Sequence, residues 1–190
     1  MHSRALAAAS FGAAAFILQG GHATAQGISP TSSRFFAILT GFEEIGGQRE
    51  DETGPIFSPA VGRLTMDLNR RTNTITFRLS YLGFTSPVTQ AHIHFAKSRV
   101  AGGIMVFFCS NLPSPPPGTQ PCPSTGGTVN GTITSGSVIG PSAQNVNPGD
   151  FNALVAALVT NTTYANIHST NFPQGEIRGQ IGRGLHQSAD

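Results

Sequence analysis

The chain has 190 residues, near the size of one domain once a targeting segment is set aside. Only 11% of them are charged while Gly, Ser, Thr and Asn are abundant, a balance that disfavours helices rich in Lys and Glu and points to strands joined by turns. The formal net charge is +2 with no run of Lys or Arg, which excludes the contiguous basic stripe that nucleic acid or an anionic bilayer requires.

At the N-terminus, His2 and Arg4 give a short basic start, Ala5 to Leu18 an apolar stretch, and Ala23-Thr24-Ala25 a small-x-small triplet of the kind signal peptidase accepts. Residues 1–25 therefore read as a signal peptide, with Gln26 opening the mature chain and a secreted or periplasmic location. The apolar run is shorter than the roughly 20 residues a spanning helix needs, so no membrane span is expected after cleavage. Residues 26–33 read as a linker, 34–183 as the folded domain, and 184–190, with His186, as a disordered tail.

Within the domain, Arg34 to Thr40 reads as a strand ended by Gly41, and Glu43 to Ser58 as a loop whose acids Glu43, Glu44, Glu50, Asp51 and Glu52 are solvated. Ala60 to Leu68 alternates, with Leu64, Met66 and Leu68 opposite Arg63, Thr65 and Asp67; Asn73 to Tyr81 does the same through Ile75, Phe77 and Leu79. The short connection from Asn69 to Thr72 predicts an antiparallel hairpin. Further strands are predicted over Val88–Ala96, Gly103–Cys109, Thr128–Thr134, Tyr164–Ser169 and Glu176–Ile181. The class is all-β, an antiparallel sandwich or barrel of about eight strands. One short amphipathic helix interrupts it: Asn147 is the expected N-cap, and Phe151, Leu154, Val155 and Leu158 recur at helical spacing. Cys109 and Cys122 both fall in the exported part, where an oxidising compartment makes them a disulfide across a proline-rich loop.

Three motifs follow one another: Ala91-His92-Ile93-His94, then Tyr164-Ala165-Asn166-Ile167-His168-Ser169-Thr170, then Pro173-Gln174-Gly175-Glu176-Ile177-Arg178-Gly179-Gln180-Ile181. With the strand Phe35 to Gly41 and the acids Glu43 and Glu44 after it, this order resembles the CHRD domain, first described in chordin. The resemblance runs to Ile181; the proline-rich insertion between the cysteines departs from it. It implies an exported protein of a family that occurs in many exported bacterial proteins and in chordin, an extracellular antagonist that binds growth factors, and it leaves the function open. A looser similarity is to the β-barrel of copper-zinc superoxide dismutase, which also carries His-x-His on a strand, and stands as an analogy only.

Side chains two apart on a strand share a face, so His92 and His94 stand together while Ala91, Ile93 and Phe95 take the core side. The same parity turns Ala165 and Ile167 inward and leaves Tyr164, Asn166 and His168 on the polar side. In the last strand Ile177, Gly179 and Ile181 face the core, opposite Glu176, Arg178 and Gln180. If these strands are neighbours, His92, His94 and His168 form one exposed cluster, and three imidazoles without a thiolate suit Cu(II) or Zn(II). Glu176 or Asn166 would then hold the second ring nitrogen of a ligand, and Arg178 would draw an anion. The competing reading of these residues is a ladder from histidine to carboxylate to guanidinium that keeps strand register. At the level of function the alternatives are a copper- or zinc-binding module and a non-catalytic module that binds another protein or a cell-surface polymer.

Overall fold

Strict alternation gives each strand one apolar face, and a sheet of such strands hides that face by curling on itself. The computed structural model describes residues 32–46 and 54–184. The expected signal peptide, residues 26–31 of the linker, Glu50, Asp51 and Glu52, and the tail with His186 lie outside the described residues. The strands are β1 (Ser32–Thr40), β2 (Val61–Asn69), β3 (Thr74–Leu82), β4 (Val88–Phe95), β5 (Gly103–Ser110), β6 (Gly127–Ile133), β7 (Thr163–Ser169), β8 (Ile177–Gln180) and β9 (Gly182–Arg183). They form one antiparallel sheet in the order β5-β4-β7-β8-β1-β2-β3-β6, with β9 against β1, an almost closed barrel.

Phe35, Leu39, Leu64, Met66, Leu68, Ile75, Leu79, Ile93, Ile167 and Ile177 fill the interior and are sealed from solvent. The β2–β3 hairpin pairs Asn69 with Thr74, and the Asn69 side chain accepts from the amides of Arg71 and Thr72 to shape the turn. The helix α1 (Phe151–Val159) buries Phe151, Leu154, Val155 and Leu158, as its periodicity implies, and joins them to the same core. Its N-cap is Asp150, whose carboxylate accepts from the Ala153 amide at 2.9 Å, and not the expected Asn147. Asn147 instead opens the turn that leads into the helix: its carbonyl accepts from the Asp150 amide at 3.1 Å, and Gly149 takes a φ of 87°, a conformation that favours glycine.

The barrel has a seam between β5 and β6, and the proline-rich insertion fills it. The Gln120 carbonyl accepts from Ser110 N at 2.9 Å on β5, and its side chain donates to the Asn130 carbonyl at 2.9 Å on β6. Both strand edges thereby find partners they would otherwise lack. Cys109 and Cys122 form the expected disulfide, closing a loop of 13 residues' separation. Asn111 anchors the same loop by donating to the carbonyls of Val88 and Cys122 and accepting from the Cys122 amide.

Chain entropy assigns a loop of this length about 3 kcal/mol at most, and the Asn111 bonds retain part of the constraint when the covalent link is gone. A Cys109→Ala, Cys122→Ala double variant should therefore remain folded and lose about 2 kcal/mol in a urea titration. An unfolded variant, or one as stable as the parent, would contradict this account.

Candidate metal centre

The strands β4, β7 and β8 lie side by side, so the polar faces read separately from the sequence become one surface. The register sets His92 beside Asn166 and Asn166 beside Arg178, His94 beside Tyr164 and Tyr164 beside Gln180, and Gln90 beside His168. Ala91, Ile93, Ala165, Ile167 and Ile177 take the interior side, each fully buried. Parity thus brings His92, His94 and His168 together, and one ring nitrogen from each lies within 4.8 Å of the others. The centroid of the His92 ring is 4.8 Å from that of His94 and 4.7 Å from that of His168.

The cluster is not exposed, contrary to expectation. His92 is 0% accessible, His168 7% and Arg178 2%, and only His94 is half-buried. Polar segments lie over this outer wall: residues 41–46, which bring Glu44 to Asn166, the connection 96–102, and the connection 170–176. Alternation reports which face a side chain takes, but not whether a second layer covers that face.

The backbone, and no acidic side chain, holds the outer ring nitrogens. His94 Nδ1 lies 2.7 Å from the Gly102 carbonyl, His168 Nδ1 lies 2.8 Å from the Pro173 carbonyl, and His94 Nε2 lies 2.9 Å from His92 Nδ1. Burial is the chief cause that lowers the proton affinity of all three. His92 is held well below the ordinary imidazole value by burial and by the charges His168 and His94 would carry. Burial pushes His94 down to about 4 against the pull of the Gly102 carbonyl, with His168 and Arg178 adding to the lowering. His168 is lowered by burial, opposed by the Pro173 carbonyl and by Glu44.

Neutral rings have one N–H each, and a carbonyl oxygen only accepts. His94 and His168 consequently carry their protons on Nδ1. His94 Nε2 is then an acceptor, so His92 must donate to it from Nδ1. This leaves the Nε2 atoms of His92 and His168 as buried lone pairs with no donor among the described residues. An unsatisfied buried acceptor costs about 1–3 kcal/mol, which a cation seated between the rings would relieve. The donor set of neutral imidazoles suits Cu(II) or Zn(II).

The remaining candidates have other employment. Glu176 accepts from Ser58 Oγ at 2.6 Å and from Ser169 Oγ, and Asn166 donates to Glu44 at 2.5 Å and to the Ile177 carbonyl at 3.3 Å. Neither holds an imidazole, which corrects the expectation for both: the Gly102 and Pro173 carbonyls of the overlying connections occupy the outer nitrogens of His94 and His168. Arg178 is not displayed to anions. Its guanidinium lies 3.4 Å from the centroid of the Tyr164 ring and donates to the carbonyls of Val100 at 2.9 Å and Lys97 at 3.3 Å. Tyr164 in turn stacks on His94, with centroids 4.6 Å apart and planes 2° from parallel. The ladder from histidine through carboxylate to guanidinium does not form either; the ion pair found among the described residues is Arg34 with Asp67. Glu44, Gly102, Pro173 and Phe107, whose ring meets His92 at 4.9 Å, complete the surroundings and carry no local sequence signal of that role.

A family model described as the CHRD domain matches residues 35–181. No curated protein matches the chain.

The lowered imidazoles make stability depend on pH. Each folded value lies below the ordinary 6.5, so the unfolded chain binds more protons than the folded one between the two values. Stability should be full above pH 6.5 and decline on acidification, with the His94 contribution lost between 6.5 and about 4. Urea midpoints across this range should fall less steeply for a His94→Gln variant than for the parent; identical slopes would refute the assignment.

Proposed function

The chain belongs to the CHRD domain family, and from that premise and the disposition of its imidazoles we propose that it is an exported module that holds Cu(II) or Zn(II) through His92, His94 and His168. The observation that carries this reading is the pair of buried Nε2 lone pairs, on His92 and His168, without a donor among the described residues. A module that only gripped another protein or a polymer would leave those two atoms unexplained. For all three rings to ligate, the His92–His94 hydrogen bond must give way so that His94 Nε2 is freed; three imidazoles then form a ligand set with a further coordination position open.

Each residue has a separate task. The Gly102 and Pro173 carbonyls select the tautomer of His94 and His168, the arrangement by which outer groups usually orient metal-binding histidines. Tyr164, itself backed by the Arg178 guanidinium, stacks on His94 and limits its rotation. Phe107 closes the far side of His92. When bound, the ion supplies Lewis acidity and, if it is copper, one-electron chemistry. Export is supported by the leader-like N-terminus and by the disulfide, which persists in oxidising compartments. No helix among the described residues is long and apolar enough to cross a membrane.

Chain purified after export should take up one equivalent of Cu(II) or Zn(II) in isothermal calorimetry. The His92→Ala, His94→Ala double variant should keep its circular dichroism and bind at least about 100-fold more weakly, since the loss of outer groups alone commonly costs ten- to a hundredfold. Unchanged affinity in the folded variant, or indifference of the parent to both ions, would end the reading. Independently, N-terminal sequencing of the exported protein should begin at Gln26.

A further inference from the structure

Two of the three rings are tied at their outer edges to surface connections. His94 Nδ1 donates to Gly102 in the 96–102 connection, and His168 Nδ1 donates to Pro173 in the 170–176 connection. The first has little else to hold it. The side chains of Lys97, Ser98, Arg99, Val100 and Ala101 are all exposed, and the Ala96 methyl is the one buried apolar group of the segment. Its other links to the wall come from polar groups around the same cluster. Arg178 donates to Lys97 and Val100, Gln180 donates to Ala96, and the Tyr164 hydroxyl accepts weakly from Gly102 N at 3.4 Å. A segment held by a few polar bonds and a single buried methyl opens at low free energy, and its order follows the strength of those bonds.

The bond partners sit where a change in the cluster must reach them. A Cβ at Gly102 would lie 2.0 Å from the Phe95 carbonyl, so glycine is what lets this backbone come close enough to meet the His94 ring. Gly175 has a φ of 131°, and a Cβ there would lie 2.5 Å from Glu44, so the second connection is likewise pressed against the wall.

We propose that occupancy of the histidine site is transmitted through the rings of His94 and His168 to these two connections, which are ordered with the ion bound and loosened when it leaves. A cation on one nitrogen of an imidazole withdraws electron density from the ring and makes the opposite N–H a stronger donor. Hydrogen bonds with ionic character are roughly twice as strong as neutral ones. Both Nδ1–H bonds therefore tighten together, and the surface above the barrel wall reports the metal state. The inference rests on the three-histidine reading, and adds to it that metal governs the order of the connections laid over this wall of the barrel.

Hydrogen exchange of the full exported chain, followed by mass spectrometry with and without one equivalent of Zn(II), tests it. Peptides covering 97–103 and 171–176 should exchange about tenfold more slowly with zinc, while the 69–74 hairpin is unaffected. In parallel, the Nδ1–H proton resonances of His94 and His168 should move downfield. Zinc uptake in calorimetry with unaltered exchange in both connections overturns the coupling and leaves the ligand set standing. Slowing of equal size at the hairpin also overturns it, because general stabilisation by a bound ligand needs no path through the rings. Absence of zinc uptake overturns the coupling and the ligand set together.

Discussion

Three imidazoles held neutral and out of water on the outer wall of a barrel impose a strict account of protons, because each ring has one N–H to give and burial denies it a second. Two of those protons go to backbone carbonyls and the third to a neighbouring ring, and the account closes with two lone pairs unmatched. Tautomers, ring orientations and the position of the free nitrogens all follow from where the Gly102 and Pro173 carbonyls stand. A carboxylate in either place would have favoured charged imidazoles and a different set of free atoms.

The surroundings show how a polar layer is kept beneath a protein surface without ion pairs at its centre. Arg178 gives its charge to a tyrosine face and two carbonyls, Glu176 receives two serine hydroxyls, and Glu44 receives Asn166 together with the amides of Ile45 and Gly46. Each ionic group is met by neutral dipoles, which satisfy a buried charge while leaving it available to bias its neighbours. The rings of His92, His94 and His168 are consequently not neutralised by a carboxylate contact. The stack from Arg178 through Tyr164 to His94 spans β8, β7 and β4 and braces the His94 ring across three strands.

Barrel closure and site construction use different parts of the chain. The seam between β5 and β6 is occupied by Gln120 and braced by the disulfide, whereas β4, β7 and β8 meet through regular ladders and carry the histidines. The connections over the outer wall belong with the latter, since their carbonyls are part of the site.

Sequence periodicity located the main strands of the barrel, the helical stripe from Phe151 to Leu158 and the common face of His92 with His94, each a local relation of period two or 3.6. The pairing of the cysteines came instead from the expectation of export. The place of His168 beside His92 and His94 needed the strand order, which sets β7 between β4 and β8 and depends on how the whole sheet curls. Burial of the cluster, the cap at Asp150 in place of Asn147, and the carbonyl partners of the rings were decided by tertiary structure only. A backbone carbonyl is present at every residue and so leaves no mark in a sequence; which one reaches a given imidazole is fixed by the three-dimensional path of the connections laid over the wall.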